Sequence, residues 1–356
     1  MLVGFYGRGN CGDEALLQST YELYKDEFNI TIAVDEYGAH PKYREWYPYN
    51  RCLVVHQTWN SEFEQDREYA GLIIGGSGLN GATLVAAARS RGIPTILAGI
   101  DFPLGSNYAK DPDGFRTYLN LYDRIITRTR VAKEQFDRVK WDVSLGADWA
   151  WHLAPDSRGI TPDPRRAVVV IREIGAQLAD EAYRREIRAL LDGLRTQGYR
   201  VLLAPFCVDD EKFLSQIGVS RWIKRIRLWT EPKRMAHLLR TSGLVVSAFR
   251  LHPLILASDS NVPLAAFRPA AVRTMEDPVV GKFGSFVREL GISMFDQSTD
   301  LLGALRDGKI GRSSAAAVED SKARVRSEID EIASLIHGRG DSGVQRAGER
   351  FEPITS

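Results

Sequence analysis

Leu2-Val3-Gly4-Phe5-Tyr6-Gly7-Arg8-Gly9-Asn10-Cys11-Gly12-Asp13-Glu14-Ala15-Leu16-Leu17 runs from apolar β-formers, through a glycine-rich loop, into residues of helical period. Leu16, Leu17, Thr20, Tyr21 and Tyr24 recur at three- and four-residue spacing, which predicts a helix over about 13–26 behind a strand at Leu2–Tyr6. A strand feeding a helix in this way opens a βαβ unit of a parallel sheet. The same pattern continues outward: Ile30–Val34, Gly71–Ile74, Thr95–Ala98 and Arg124–Thr127 read as strands, with a helix at about Gly81–Arg91.

From Ala154 to Arg166 the composition changes to APDSRGITPDPRR, whose three prolines and one glycine suit a linker better than an element interior. The pattern then restarts. Ala167–Ile171 and Arg200–Ala204 read as strands around a helix at about Ala179–Thr196, and Leu244–Ala248 and Val262–Phe267 as strands around a helix opening near Pro253. The expected organisation is an N-terminal lobe over 1–153, a linker over 154–166, a second lobe over 167–310, a C-terminal helix over 311–337 and a disordered tail over 338–356. The fold class is α/β, two Rossmann-like lobes facing a central cleft, and ligands of open α/β sheets bind at the carboxyl ends of the strands.

Composition narrows the function. The 356 residues carry 47 Lys+Arg against 46 Asp+Glu, a net charge of +1, which argues against a nucleic-acid partner. No apolar run reaches the roughly 18 residues of a membrane span, and no secretory leader is evident, so a cytoplasmic location is expected. Three cysteines without paired spacing argue against a disulfide framework and a zinc site, and His40, His56, His152, His237 and His337 lack partners at metal-ligand spacing, so no metal is expected.

Three loops can carry chemistry. Gly7, Gly9 and Gly12 allow a sharp turn close to a ligand, Asn10 and Asp13 stand beside them, and Asp13 is placed to cap a helix whose free N–H groups attract anions. Gly75-Gly76-Ser77-Gly78 can wrap a phosphate or sugar, or serve a crowded crossing of loop and helix. Ser247-Ala248-Phe249-Arg250-Leu251-His252-Pro253 ends a buried strand in a cation and a titratable group, which is costly unless an anion answers them. An isolated Arg-x-His would equally let Arg250 pair with a structural carboxylate and His252 cap its own helix. Arg172 follows Ala167–Ile171 in the same manner, so Arg172 and Arg250 can form a bidentate clamp for a multiply charged anion, with Asp148 opposite them from the first lobe. The basic-aromatic run Arg221–Trp229 reads as a strand with Ile226 and Leu228 inward, or as a helix docking Trp222, Ile226 and Trp229 on a membrane surface.

Together, Gly4-Phe5-Tyr6-Gly7 with Asn10-x-Gly12-Asp13-Glu14, the Gly75-Gly76-Ser77-Gly78-Leu79 loop, and Ser247-x-x-Arg250-Leu251-His252 resemble the polysaccharide pyruvyl transferase family over about residues 1–295. Gly76-Ser77-Gly78, Gly99-Ile100-Asp101-Phe102-Pro103 and Phe267-Arg268-Pro269 depart from the family pattern. The resemblance implies a fold like the B-type glycosyltransferases, phosphoenolpyruvate as donor substrate with no other cofactor, and a nucleotide-linked or lipid-linked saccharide acceptor. It leaves room for peripheral contact with the inner membrane face. Arg250 and Arg172 would hold the donor's phosphate and carboxylate, and His252 would protonate its methylene carbon. A nucleotide-sugar glycosyltransferase and a catalytically silent binding protein of the same fold are the alternatives.

Overall fold

The computed structural model describes residues 1–35, 37–56, 68–75, 82–101, 112–139, 141–173, 181–218, 223–269 and 278–340. The chain divides into two compact units: Met1–Arg8, Thr20–Ala147 and the residues from Arg324 form the first, and Gly9–Ser19 with Asp148–Ala323 form the second.

The first unit is built on β1 (Leu2–Val3), β2 (Thr31–Val34), β3 (Leu53–His56), β4 (Leu72–Gly75), β5 (Thr95–Ile100), β6 (Arg124–Thr127) and β7 (Ser144–Leu145). They form one sheet in the order β3-β2-β1-β4-β5-β6-β7, every neighbour parallel. The second unit contains β8 (Asp163–Ile171), β9 (Arg200–Leu203), β10 (Lys224–Arg225), β11 (Ser242–Ala248), β12 (Leu264–Phe267) and β13 (Ser293–Phe295), parallel throughout in the order β10-β9-β8-β11-β12-β13. In both sheets the strand order reverses at the first strand, which is the doubly wound pattern. The helices are α1 (Cys11–Tyr24), α2 (Ala82–Ser90), α3 (Pro112–Leu119), α4 (Arg130–Arg138), α5 (Glu181–Thr196), α6 (Val208–Gln216), α7 (Pro232–Arg240), α8 (His252–Ser258), α9 (Pro278–Glu289), α10 (Ser298–Arg306) and α11 (Ala315–Gly340).

β8 and β11 are the centre of the second sheet. Val168, Val169, Val170 and Ile171 are wholly buried beside Val245, Val246 and Ser247, the continuous apolar run of a strand covered on both faces. Tyr183, Ile187, Leu190 and Leu194, at helical spacing on α5, pack on this sheet with Phe213 of α6. In the first unit, Leu72, Ile74 and Leu97 meet Leu84, Val85 and Ala88 of α2 in the same way.

Several expected boundaries move. The expected strand Leu2–Tyr6 stops at Val3 because the chain folds back: a Cβ on Gly4 would lie 2.6 Å from the buried Tyr6 ring. The units part at Ala147/Asp148 rather than within 154–166. Trp149, Trp151 and Leu153 are buried, and Trp151 stacks on Phe286 with centroids 6.4 Å apart, so packing assigns them to the second unit ahead of the proline-rich stretch. The end of that stretch, Asp163–Arg166, is already the start of β8. The C-terminal helix is not a separate piece over 311–337: it begins at Ala315, runs to Gly340, and changes units at Ala323/Arg324. Of Arg221–Trp229, Arg221 and Trp222 lie outside the described residues; Lys224–Arg225 is strand, Leu228 is buried and Ile226 half-buried.

The β8–β11 pairing contains one irregularity. Ser242 faces Asp163 and Leu244 faces Ala167, so the register shifts at Gly243, where a Cβ would sit 1.8 Å from the Pro164 carbonyl oxygen. Backbone cannot yield as a flexible side chain does. Gly243→Ala should therefore cost about 1–3 kcal/mol in urea unfolding, as overpacking does; a change within about 0.5 kcal/mol, the usual range of surface substitutions, would contradict the register.

Candidate functional site

β8 and β11 flank the point where the second sheet reverses its order, so their carboxyl ends open on the position where doubly wound folds bind ligands. β11 ends at Ala248, and the chain leaves through Phe249 at φ 58°, a left-handed conformation unusual for a large side chain. Such strain costs about 1–3 kcal/mol. Burial of the Phe249 ring against Tyr183 and Phe283, at centroid distances of 6.3 and 6.0 Å, offsets it. The Ser247 hydroxyl donates to the Arg250 carbonyl and closes the turn.

This reversal sends Arg250 and His252 to different carboxylates. Arg250 donates through Nε to Asp210 Oδ2 at 2.9 Å and through Nη2 to Asp210 Oδ1 at 2.5 Å, and Nη2 also reaches Cys207 Sγ at 2.9 Å. Burial disfavours the guanidinium charge, but Asp210, Cys207 and Asp13 more than offset it, and the Arg250 pKa lies above its ordinary value. Burial pushes the Cys207 thiol up, with Arg250 pulling the other way. Asp210 is the structural carboxylate that the bare Arg-x-His pattern left open. His252, by contrast, does not cap its own helix: Leu251 is the N-cap of α8, without a side-chain cap bond, and His252 is the first helical residue.

His252 Nε2 stands 3.4 Å from Asp148 Oδ2, and the Asp148 carboxylate is wholly buried. The other Asp148 oxygen accepts from the Ala150 N–H at 3.0 Å, which fixes the carboxylate at the start of the short 3-10 helix Trp149–His152. Nε2 is buried and makes no hydrogen bond among the described residues, whereas the side chain as a whole keeps 15% exposure. Nδ1 lies over Gly12: a Cβ there would come within 2.1 Å of it. Only a residue without a Cβ lets the first turn of α1 pack against that edge of the imidazole.

The first turn of α1 reaches this ring through contacts inside the second unit. The Cys11 N–H donates to the Phe206 carbonyl at 2.7 Å. Asn10, not Asp13, is the helix cap: its Oδ1 accepts from the Gly12 N–H at 3.2 Å, and its Nδ2 donates to Asp13 Oδ2 at 2.6 Å. The reason is that helical bonding begins with the Glu14 N–H to the Asn10 carbonyl, two residues earlier than the apolar period indicates. Two N–H groups of the first turn are thus already satisfied within the protein.

Arg172 follows β8 as expected. Its N–H donates to the Ala248 carbonyl at 3.0 Å, and its carbonyl accepts from the Tyr183 hydroxyl at 3.3 Å, so it is tied to the end of β11. Asp148 belongs to the second unit, together with Arg172, Arg250 and His252, and not to the first, because of the Trp149–Leu153 packing described above. Asn10, Gly12 and Asp13 join them there; Gly7 belongs to the first unit, at φ 77°, its carbonyl accepting from the His40 N–H at 2.6 Å. Gly76 and Ser77 lie outside the described residues. Sequence reasoning missed Asp210, because Asp209-Asp210-Glu211 reads as ordinary acidic residues in a first helical turn, and it missed the supporting parts of Ser247 and Phe249. Among the described residues no group of three or more His, Cys, Asp or Glu is arranged to hold a metal ion, and no helix is long and apolar enough to cross a membrane.

In overall structure the chain is similar to the UDP-N-acetylglucosamine 2-epimerase from Rickettsia bellii, with a TM-score of 0.60 at 10% identity over 96% of this chain and 97% of that one. It is also similar to Os79 from O. sativa solved in complex with UDP, with a TM-score of 0.54 at 11% identity over 94% of this chain and 100% of that one. MurG from Acinetobacter baumannii gives a TM-score of 0.51 at 10% identity over 95% and 98%. At these identities the likeness shows the fold, an α/β architecture of two parallel sheets of the glycosyltransferase-B kind. No curated protein matches the chain in sequence. The model of the polysaccharide pyruvyl transferase family matches residues 10–269, a range that holds Asn10, Gly12, Asp148, Arg172, Asp210, Arg250 and His252, and the chain belongs to that transferase family.

Proposed function

We propose that the protein transfers the enolpyruvyl-derived group of phosphoenolpyruvate to a pair of saccharide hydroxyls, forming a pyruvate ketal and releasing phosphate. The observation that carries the reading is the buried Asp148 carboxylate against one nitrogen of His252, with the backbone of Gly12 packed on the other edge of the ring, which holds the imidazole in place. Family membership supplies the reaction class. The acceptor is a nucleotide-linked or lipid-linked saccharide of cell-surface or exopolysaccharide biosynthesis, and the reaction runs on the cytoplasmic side, where the donor is made.

Phosphoenolpyruvate is an enol phosphate. A proton added to its methylene carbon leaves an oxocarbenium ion at the neighbouring carbon, which one hydroxyl attacks. The carbon–oxygen bond to phosphate then breaks, the second hydroxyl closes the ketal, and both hydroxyl protons are released. His252 supplies the first proton. Asp148 orients the ring and balances the imidazolium charge; its separation is longer than a hydrogen bond, as catalytic pairs without substrate often are. Arg172 and Arg250 hold the donor's phosphate and carboxylate, Arg250 through the part of its fork turned away from Asp210. A fold shared with nucleotide-sugar proteins makes a UDP-sugar donor the competing reading. A thermal-shift comparison separates them: phosphoenolpyruvate should raise the melting temperature and UDP-sugars should not, and the reverse result would overturn the proposal.

His252→Gln should bind phosphoenolpyruvate nearly as well as the parent, because its proton matters as the methylene carbon becomes tetrahedral, while phosphate release falls by about 10²–10⁴. Turnover within about threefold of the parent would remove it as the proton donor. Gly12→Ala adds a good helix former but drives a methyl group into the Nδ1 edge. It should lower the melting temperature, as overpacking does, and reduce phosphate release at least about tenfold at temperatures where the variant is folded; full activity would show that this contact does not position the ring. Arg172→Lys and Arg250→Lys should each weaken phosphoenolpyruvate binding by calorimetry roughly ten- to a hundredfold, since lysine cannot reproduce the bidentate fork.

A further inference from the structure

We infer that Asp210 is a positioning residue for donor binding, a role that rests on the donor reading above: its carboxylate sets the aim of Arg250 and, through the next residue, of Arg172. Asp210 is wholly buried near the start of α6. Its Oδ1 accepts from Arg250 Nη2 at 2.5 Å and from the Glu173 N–H at 2.9 Å, and its Oδ2 accepts from Arg250 Nε at 2.9 Å and from the Phe206 N–H at 3.1 Å. One carboxylate therefore joins the segments that follow β8, β9 and β11. Both expected donor arginines are held by it, Arg250 directly and Arg172 through the backbone of its neighbour.

Each of the four bonds has a donor on the far side. An amide at this position would turn one of its own donors toward a donor, so Asn cannot satisfy the set. Cys207, three residues earlier, accepts from the Asp210 N–H at 3.5 Å and from Arg250 Nη2 at 2.9 Å, holding the same edge of the guanidinium from a second side. Nη1 makes no hydrogen bond among those found at the described residues, and it is the nitrogen this frame leaves to an incoming anion. A carboxylate that merely balanced charge would tolerate a small displacement. One that aims a fork at a bound anion would not, because a displacement of about 1 Å in a positioned group can cost about a hundredfold.

The test is calorimetric titration of phosphoenolpyruvate into the parent, Asp210→Asn, Arg250→Lys and the double variant, with melting curves to establish folding. Asp210→Asn should weaken binding about ten- to a hundredfold in the parent background and by clearly less once Arg250 is lysine, since the directly held fork is then gone and only the indirect hold on Arg172 is left to lose. In steady state the loss should appear in KM more than in kcat. Asp210→Glu covers the case in which the Asn variant does not fold. It keeps the charge but moves it by one methylene, and should weaken binding at least about tenfold. Parent-like affinity in Asp210→Glu, or an equal loss from Asp210→Asn in both backgrounds, would reduce Asp210 to a structural ion pair. A parent that binds no phosphoenolpyruvate overturns the donor reading and this role together, whereas a parent that binds beside indifferent Asp210 variants overturns this role alone.

Discussion

A guanidinium and a carboxylate meet in the interior of the second unit, and the candidate site depends on that meeting. Neither charge would be tolerated there alone: breaking a buried pair by removing one partner typically costs about 3–5 kcal/mol. Arg250 and Asp210 satisfy each other bidentately, and the remaining lone pairs of Asp210 take backbone N–H groups from Phe206 and Glu173. The pair therefore does more than neutralise charge. It fixes three strand-following segments against each other at the reversal point of the sheet, where a ligand site needs rigid walls. The left-handed turn at Phe249 is held between this pair and the aromatic packing of Tyr183 and Phe283, and outside such a frame the backbone would relax.

The second carboxylate has the opposite character. Asp148 is as buried as Asp210, but its facing group is a histidine that can carry or lack a proton, and their separation of 3.4 Å leaves the imidazole without a hydrogen bond at Nε2. The Arg250–Asp210 pair is closed by direct hydrogen bonds, and the His252–Asp148 pair is not. Gly12 completes this arrangement from another part of the chain, since only a residue without Cβ lets the first turn of α1 lie against the ring.

Much of the fold was legible because buried parallel strands announce themselves. Arg124–Thr127 is observed with the bounds its apolar run predicts, and β11 needs only Ser242 and Gly243 added to Leu244–Ala248. What misled was local composition standing in for packing. Pro155 and Pro162 mark irregular chain correctly, whereas Pro164 already lies in β8; Trp149, Trp151 and Leu153 determine which unit the preceding segment joins, and that depends on Phe286, far away in sequence. The site divides in the same way. Arg172, Arg250 and His252 could be read because a buried strand ending in a charge demands an explanation. Asp210 could not, because an acidic residue in a first helical turn already has one.

The spacing Ser247-x-x-Arg250-Leu251-His252 follows from these two demands. The Ser247 hydroxyl donates to the Arg250 carbonyl, so it ties the strand end to the turn it precedes. Phe249 reverses the backbone and so separates the direction of Arg250 from that of the strand. Leu251 then adopts right-handed helical angles, φ −75° and ψ −52°, as the N-cap of α8, and His252 begins the helix facing Asp148. Two cationic or titratable side chains two residues apart reach two separate carboxylates here because the backbone changes hand at Phe249 and then enters a helix at His252, and the motif is the sequence record of that change.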